Sequence, residues 1–125
     1  MAKILLVDDD PLVRTSLADV LGEAGHVVSE AGDGDEGLEA LDREPFDLVV
    51  LDILMPRREG LETMREIRKR WVTLPVLAIS GGGRHAACDF LQMASEFGAN
   101  DTMAKPFLDR ELVDRVTGLL GGGKP

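Results

Sequence analysis

Leu48-Val49-Val50-Leu51-Asp52 is a run of four aliphatic residues closed by a carboxylate. Short, unbroken and partly β-branched, such a run suits a strand of a parallel sheet that is buried on both faces. An acid at its end occupies a costly position unless the site uses the charge. Working outward, Ile4-Leu5-Leu6-Val7 has the same character and ends in Asp8-Asp9-Asp10, while Val76-Leu77-Ala78-Ile79 ends in Ser80. Two more polar runs, His26 to Glu30 and Asn100 to Ala104, read as edge strands.

Helical patterns fill the gaps. Val13, Leu17, Val20, Leu21 and Ala24 form one apolar stripe, with Asp10-Pro11 as N-cap and first residue and Gly25 as the stop. The second helix is expected to start at Asp33, with Glu36 as a capping-box partner, and to end before Pro45. Leu61, Met64, Ile67 and Trp71 mark a third helix, with Trp71 as helix-end packing. Ala87, Phe90, Ala94 and Phe97 mark a fourth, and Leu112, Val116, Leu119 and Leu120 a fifth. Strands alternating with helices imply right-handed βαβ units and a three-layer α/β sandwich. With the second and fifth strands as edges, the parallel five-stranded sheet takes the order 2-1-3-4-5. Ligands of such sheets bind beyond the carboxyl ends of the strands, where the winding reverses. Here that point lies between strands one and three.

Asp8, Asp9 and Asp10 end the first of these strands and Asp52 ends the other, so their side chains converge on one edge. Each carboxylate pair there repels by about 4 kcal/mol at an effective dielectric near 20. A hard divalent cation answers that repulsion. Mg²⁺ suits a site with few protein ligands, because it keeps several waters. Asp10 precedes Pro11 and reads as a helix cap instead. Ser80 and Lys105, at the ends of strands four and five, bring a hydroxyl and an ammonium suited to phosphoryl oxygens. Together these groups describe in-line attack of Asp52 on phosphorus to give an aspartyl phosphate.

Composition narrows the field. The chain has 125 residues, enough for one domain, with 23 acids against 14 bases and a net charge of -9. That charge disfavours nucleic-acid binding by this chain. No apolar run has membrane-spanning length and the N-terminus does not resemble a signal peptide, so a cytoplasmic protein is expected. The sole cysteine, Cys88, fits a reduced compartment, and no zinc-like Cys/His spacing includes His26 or His85. The expected domain is 1–120, with 121–125 a flexible Gly-rich tail. Arg65, Arg68, Lys69 and Arg70 read as a solvated helix face, with docking to an acidic surface as the alternative.

Asp8-Asp9 after strand one, Asp52 within D-I-L-M-P-x-x-x-G, Ser80 after strand four and Lys105-Pro106-Phe107 after strand five resemble the receiver domains of response regulators. The resemblance covers residues 3–120 and implies a (βα)5 flavodoxin-like fold. It implies phosphorylation of Asp52 by a histidine kinase or histidine phosphotransfer protein. It further implies Mg²⁺, with Mn²⁺ as a substitute, bound by Asp9, Asp52 and the Leu54 backbone carbonyl, and by Asp8 largely through water. Ser80 and Lys105 would contact the phosphoryl group, and the Lys105-Pro106 bond would be cis. A phospho-acceptor of this kind is a switch, not an enzyme acting on a separate substrate. Its downstream protein target would dock on the face of helix four, strand five and helix five, with a homodimer left open.

Three departures from the family pattern stand out. Thr102 occupies a position where many receivers have an aromatic ring, so the usual coupling through that ring is lost. Signalling is then expected through the loop and helix after strand four. That loop opens with Gly81-Gly82-Gly83-Arg84, where glycines relax the backbone. Leu54 and Gly82, at positions that tune hydrolysis in the family, cannot orient water by side-chain hydrogen bonds, which predicts slow self-dephosphorylation. Two alternatives remain: a pseudo-receiver that is never phosphorylated, and an aspartyl-phosphate phosphatase of the haloacid-dehalogenase type built on Asp8 and Asp10.

Overall fold

A computed structural model describes residues 2–53, 59–81 and 92–121. Its elements in chain order are β1 (Lys3–Val7), α1 (Pro11–Glu23), β2 (Val27–Ala31), α2 (Gly34–Arg43), β3 (Leu48–Asp52), α3 (Glu59–Arg70) and β4 (Val76–Ser80). A helical stretch at 92–96 (α4), β5 (Asp101–Ala104) and α5 (Asp109–Leu120) complete it. All strand pairs are parallel, and the order is β2-β1-β3-β4-β5, as the apolar runs predict.

Strand alternation divides the core in two. Ile4 and Leu6, Leu48 and Val50, and Leu77 and Ile79 pack with Leu17 and Leu21 of α1 and with Leu112 and Val116 of α5. Leu5 and Val7, Val49 and Leu51, and Val76 and Ala78 pack on the other face. Their partners are Ala40 and Leu41 of α2, Leu61, Met64 and Ile67 of α3, and Ala94 of α4. The three inner strands are buried on both faces because successive side chains point to opposite sides and helices cover each side.

Caps fall where the local chemistry directs them. Asp10 Oδ1 accepts from the amides of Leu12 and Val13 at 3.0 and 3.4 Å, and Pro11 opens α1. Past the end of α1, Gly25 takes φ 98°, a left-handed conformation that costs glycine little. At α2, Asp33 accepts from the Glu36 amide at 2.8 Å, but the Glu36 carboxylate accepts from Gly32, one residue before the expected partner.

The edges differ slightly from expectation. Strand β2 starts at Val27, whose amide donates to the Ala2 carbonyl at 2.8 Å, because the His26 amide still donates to the Leu21 carbonyl at the end of α1, at 3.2 Å. Strand β5 starts at Asp101, because the side chain of Asn100 takes the Val76 amide at 2.8 Å.

The basic stretch of α3 is less solvated than its composition suggests. Arg68 donates to the carbonyls of Gly98, Trp71 and Val72 and to Asn100 Oδ1, tying α3 to the turn before β5. Arg70 pairs with Asp42 and lies 4.5 Å from the centre of the half-buried Trp71 ring. Ala87, Cys88 and Phe90 of the expected fourth helix lie outside the described residues, as do Gly82, Gly83, Arg84, His85 and the tail at 122–125.

Candidate functional site

The same alternation that builds the α1/α5 core also aims the site. Asp8 continues the series of Ile4 and Leu6, Asp52 that of Leu48 and Val50, and Lys105 that of Met103. The register sets β1 beside β3, β3 beside β4 and β4 beside β5, so the series end at one edge of the sheet. Asp8, Asp9 and Asp52 each offer a carboxylate oxygen within 4.8 Å of the others. Asp8 is fully buried, Asp52 is 5% exposed and Asp9 is exposed.

Lys105 answers part of this charge. Its Nζ lies 3.4 Å from Asp8 Oδ2 and 3.3 Å from Asp52 Oδ2. Burial alone would lower the pKa of the ammonium, but the charges of Asp52 and Asp8 outweigh it and hold it above the ordinary lysine value. The Gly81 backbone packs on the lysine stem: a Cβ at Gly81 would lie 3.3 Å from Lys105 Cδ. The Lys105-Pro106 peptide bond is cis, as the family resemblance implies.

Three carboxylates against one ammonium leave an excess of negative charge, and hard oxygen donors at this spacing fit a divalent cation that keeps several waters. Asp8 already accepts from the Asp10 amide on Oδ1, at 2.9 Å, and from Lys105 on Oδ2. Asp52 likewise accepts from Lys105 on Oδ2, at 3.3 Å. The Leu54 carbonyl, the fourth expected ligand, lies outside the described residues.

Ser80 reaches the same edge with its backbone, whose carbonyl accepts from the Lys105 amide at 2.7 Å. Its side chain is fully buried and follows the opposite alternation, that of Val76 and Ala78. The hydroxyl donates at 3.4 Å to the Gly81 carbonyl, a weak contact, and does not join the acid–lysine cluster. Asp10 caps α1, as its place before Pro11 indicates.

Two neighbours support the cluster: Gly60, the glycine that closes D-I-L-M-P-x-x-x-G, and Arg14, which none of the sequence motifs includes. Gly60, in the first turn of α3, packs on the backbone next to Asp52. A Cβ there would lie 2.3 Å from Ile53 Cα and 2.5 Å from its carbonyl oxygen. Arg14 donates from Nη1 to the Asp8 carbonyl at 2.6 Å and from Nε to Glu30 Oε1 at 3.0 Å. A faint signal did exist for it, since an arginine near a helix N-terminus opposes the dipole there.

The family of response regulator receiver domains matches residues 4–117. The chain is 40% identical over 120 residues to the transcriptional regulatory protein CpxR of Klebsiella pneumoniae, covering 96% of this chain and 50% of that one. It is likewise 40% identical over 123 residues to the response regulator MprA of Mycobacterium leprae, covering 98% and 53%. The chain thus spans about half the length of these relatives. The solved receiver domain of NtrX from Brucella abortus matches with a TM-score of 0.87 at 35% identity, over 94% of this chain and 97% of that one. A CheY-like receiver domain protein of Methanospirillum hungatei matches with a TM-score of 0.87 at 26% identity, over 98% and 95%. Because the family match runs from β1 into α5, and the solved relatives share both the fold and much of the sequence, the chain belongs to the response regulator receiver domain family of two-component systems.

Proposed function

We propose that the chain is a phosphorylation switch in which Asp52 accepts a phosphoryl group from the phosphohistidine of a histidine kinase or histidine phosphotransfer protein. The observation that carries this reading is the setting of Asp52. It is a nearly buried carboxylate at a strand end, 3.3 Å from an ammonium and grouped with two further carboxylates. An Asp52 oxygen attacks phosphorus in line as the P–N bond to the donor imidazole breaks. The imidazole leaves with a proton from solvent, and an acyl phosphate remains on Asp52. Lys105, charged throughout the physiological range, moves from pairing carboxylates to holding a phosphoryl oxygen. The Ser80 hydroxyl, weakly engaged with Gly81, turns to another. Asp9, Asp52, the Leu54 carbonyl and, through water, Asp8 would hold Mg²⁺, or Mn²⁺ in its place, and the bound cation would supply positive charge to offset that of the phosphoryl group.

The acyl phosphate shifts the population between two surface conformations. The readout face is that of α4, β5 and α5, where Arg115 pairs with Asp101 at 3.1 Å and donates to the Thr102 carbonyl. A downstream protein, or a second copy of the chain, docks there. On this reading the chain is a phospho-acceptor that assists its own phosphorylation and slow dephosphorylation, and it has no separate substrate to turn over. Among the described residues no helix is long and apolar enough to cross a membrane, which is compatible with work beside a cytoplasmic kinase domain. The engagement of Asp10 as a helix cap favours this reading over a phosphatase that relies on Asp8 and Asp10.

The test is intact mass after incubation with Mg²⁺ and acetyl phosphate, comparing wild type with Asp52→Asn. One phosphoryl adduct on the wild type alone is expected. A folded, Mg²⁺-bound wild type that gains none would move the assignment to an unphosphorylated interaction module.

A further inference from the structure

We propose that Arg14 is a positioning residue for divalent-cation binding, holding the Asp8–Asp9 turn through the Asp8 carbonyl; the inference rests on the metal-assisted reading above. Among the described residues the Asp9 carboxylate is exposed and makes no hydrogen bond or ion pair, so its place is set by its backbone alone. That backbone begins at the Asp8–Asp9 peptide, whose carbonyl oxygen takes the Arg14 Nη1 proton at 2.6 Å. On the other side of Asp8, its amide donates to the Ala31 carbonyl of β2 at 3.1 Å.

Arg14 is itself anchored on β2, through Nε to Glu30 Oε1 at 3.0 Å, and its side chain is only 20% exposed. It lies along the β2–α2 turn, where a Cβ at Gly32 would stand 3.4 Å from Nη1. Two planar donors in a fixed fork therefore join the exit of β1 to the edge strand. A lysine can supply the charge but not both bonds at this angle. Outer groups that orient a metal's ligands typically contribute about 10- to 100-fold to affinity when lost.

Charge and geometry predict opposite signs, which makes the role testable. Arg14 is a cation beside a cation site, so Coulomb repulsion alone makes its removal tighten Mg²⁺ binding. Positioning makes its removal weaken binding.

The experiment is Mg²⁺ titration by calorimetry on the full chain, without phosphodonor, for wild type, Arg14→Met, Arg14→Lys, Glu30→Ala and the Arg14→Met/Glu30→Ala pair. Urea unfolding without metal verifies that each variant is folded. Arg14→Met is expected to bind Mg²⁺ about tenfold more weakly, with Arg14→Lys close behind it. Glu30→Ala is expected to weaken binding less, and to add nothing in the Arg14→Met background. Arg14→Met binding as tightly as wild type or tighter overturns the inference. So does full affinity in Arg14→Lys, the deciding variant if Arg14→Met does not fold. A wild type that binds no Mg²⁺ instead overturns the metal-assisted reading, and this inference with it.

Discussion

Replacing Lys105 by Met keeps most of the aliphatic stem that packs on Gly81 and removes only the ammonium. The loss can be sized from the geometry. At 3.3 and 3.4 Å from carboxylates that are 6% and 0% exposed as side chains, the charge gains about 5 kcal/mol from each at an effective dielectric near 20. Much of that is offset by desolvation, and the lysine side chain is itself 24% exposed. A net destabilisation of about 3 kcal/mol is expected, the low end of the range for removing one partner of a buried pair. For a domain of this size that lowers Tm by roughly 10 °C.

The assay is thermal unfolding in EDTA and then in saturating Mg²⁺, for wild type and Lys105→Met. Because the variant lacks its internal counter-charge, Mg²⁺ should raise its Tm more than that of the wild type. The pH dependence has a definite sign. The Lys105 pKa is raised in the folded state, so its contribution is fully present below the ordinary lysine value of about 10.4 and is lost as pH rises through the raised one. The gap between the two proteins should therefore stay level near neutrality and close only in strongly alkaline solution. Equal stability in EDTA at pH 7, or equal gains from Mg²⁺, would refute the account of Lys105 as the counter-ion of the cluster.

Gly60→Ala forces a methyl group to within 2.3 Å of Ile53 Cα, so α3 or the end of β3 must move. A destabilisation of about 2 kcal/mol is expected, typical of overpacking, with slower acceptance of phosphate from acetyl phosphate; an alanine variant matching wild type in both would show that α3 can slide without disturbing Asp52. Leu54→Asn introduces a side chain able to hydrogen-bond an attacking water. It should shorten the lifetime of the phosphorylated form, followed by intact mass after removal of phosphodonor, and an unchanged lifetime would remove Leu54 from the account of slow hydrolysis.

Local patterns fared well in this chain because local forces produced them. The cap at Asp10, the glycine stop at Gly25 and the apolar faces of α1, α3 and α5 each depend on residues within a turn or two of one another. Where reading by composition failed, a distant partner had intervened. Arg68 belongs to a run of exposed-looking bases, yet it bonds to Gly98 and Asn100, thirty or more residues away. Ser80 stands at the expected strand end, its carbonyl accepting from the Lys105 amide at 2.7 Å and its hydroxyl donating weakly to the neighbouring Gly81 carbonyl.

From the sequence alone came the strand order, the edge that carries chemistry, and Asp8, Asp9 and Asp52 as its acids. Alternating apolar runs and caps specify elements, and parallel crossovers bring their carboxyl ends to one edge. Only the tertiary structure decided which groups meet there. Lys105 reaches Asp8 across 97 residues, and Arg14 bridges Asp8 to the edge strand. The start of α3 rests on Ile53 because Gly60 has no side chain. Such contacts follow from register and from the tilt of helices on a twisted sheet, quantities that no single segment encodes.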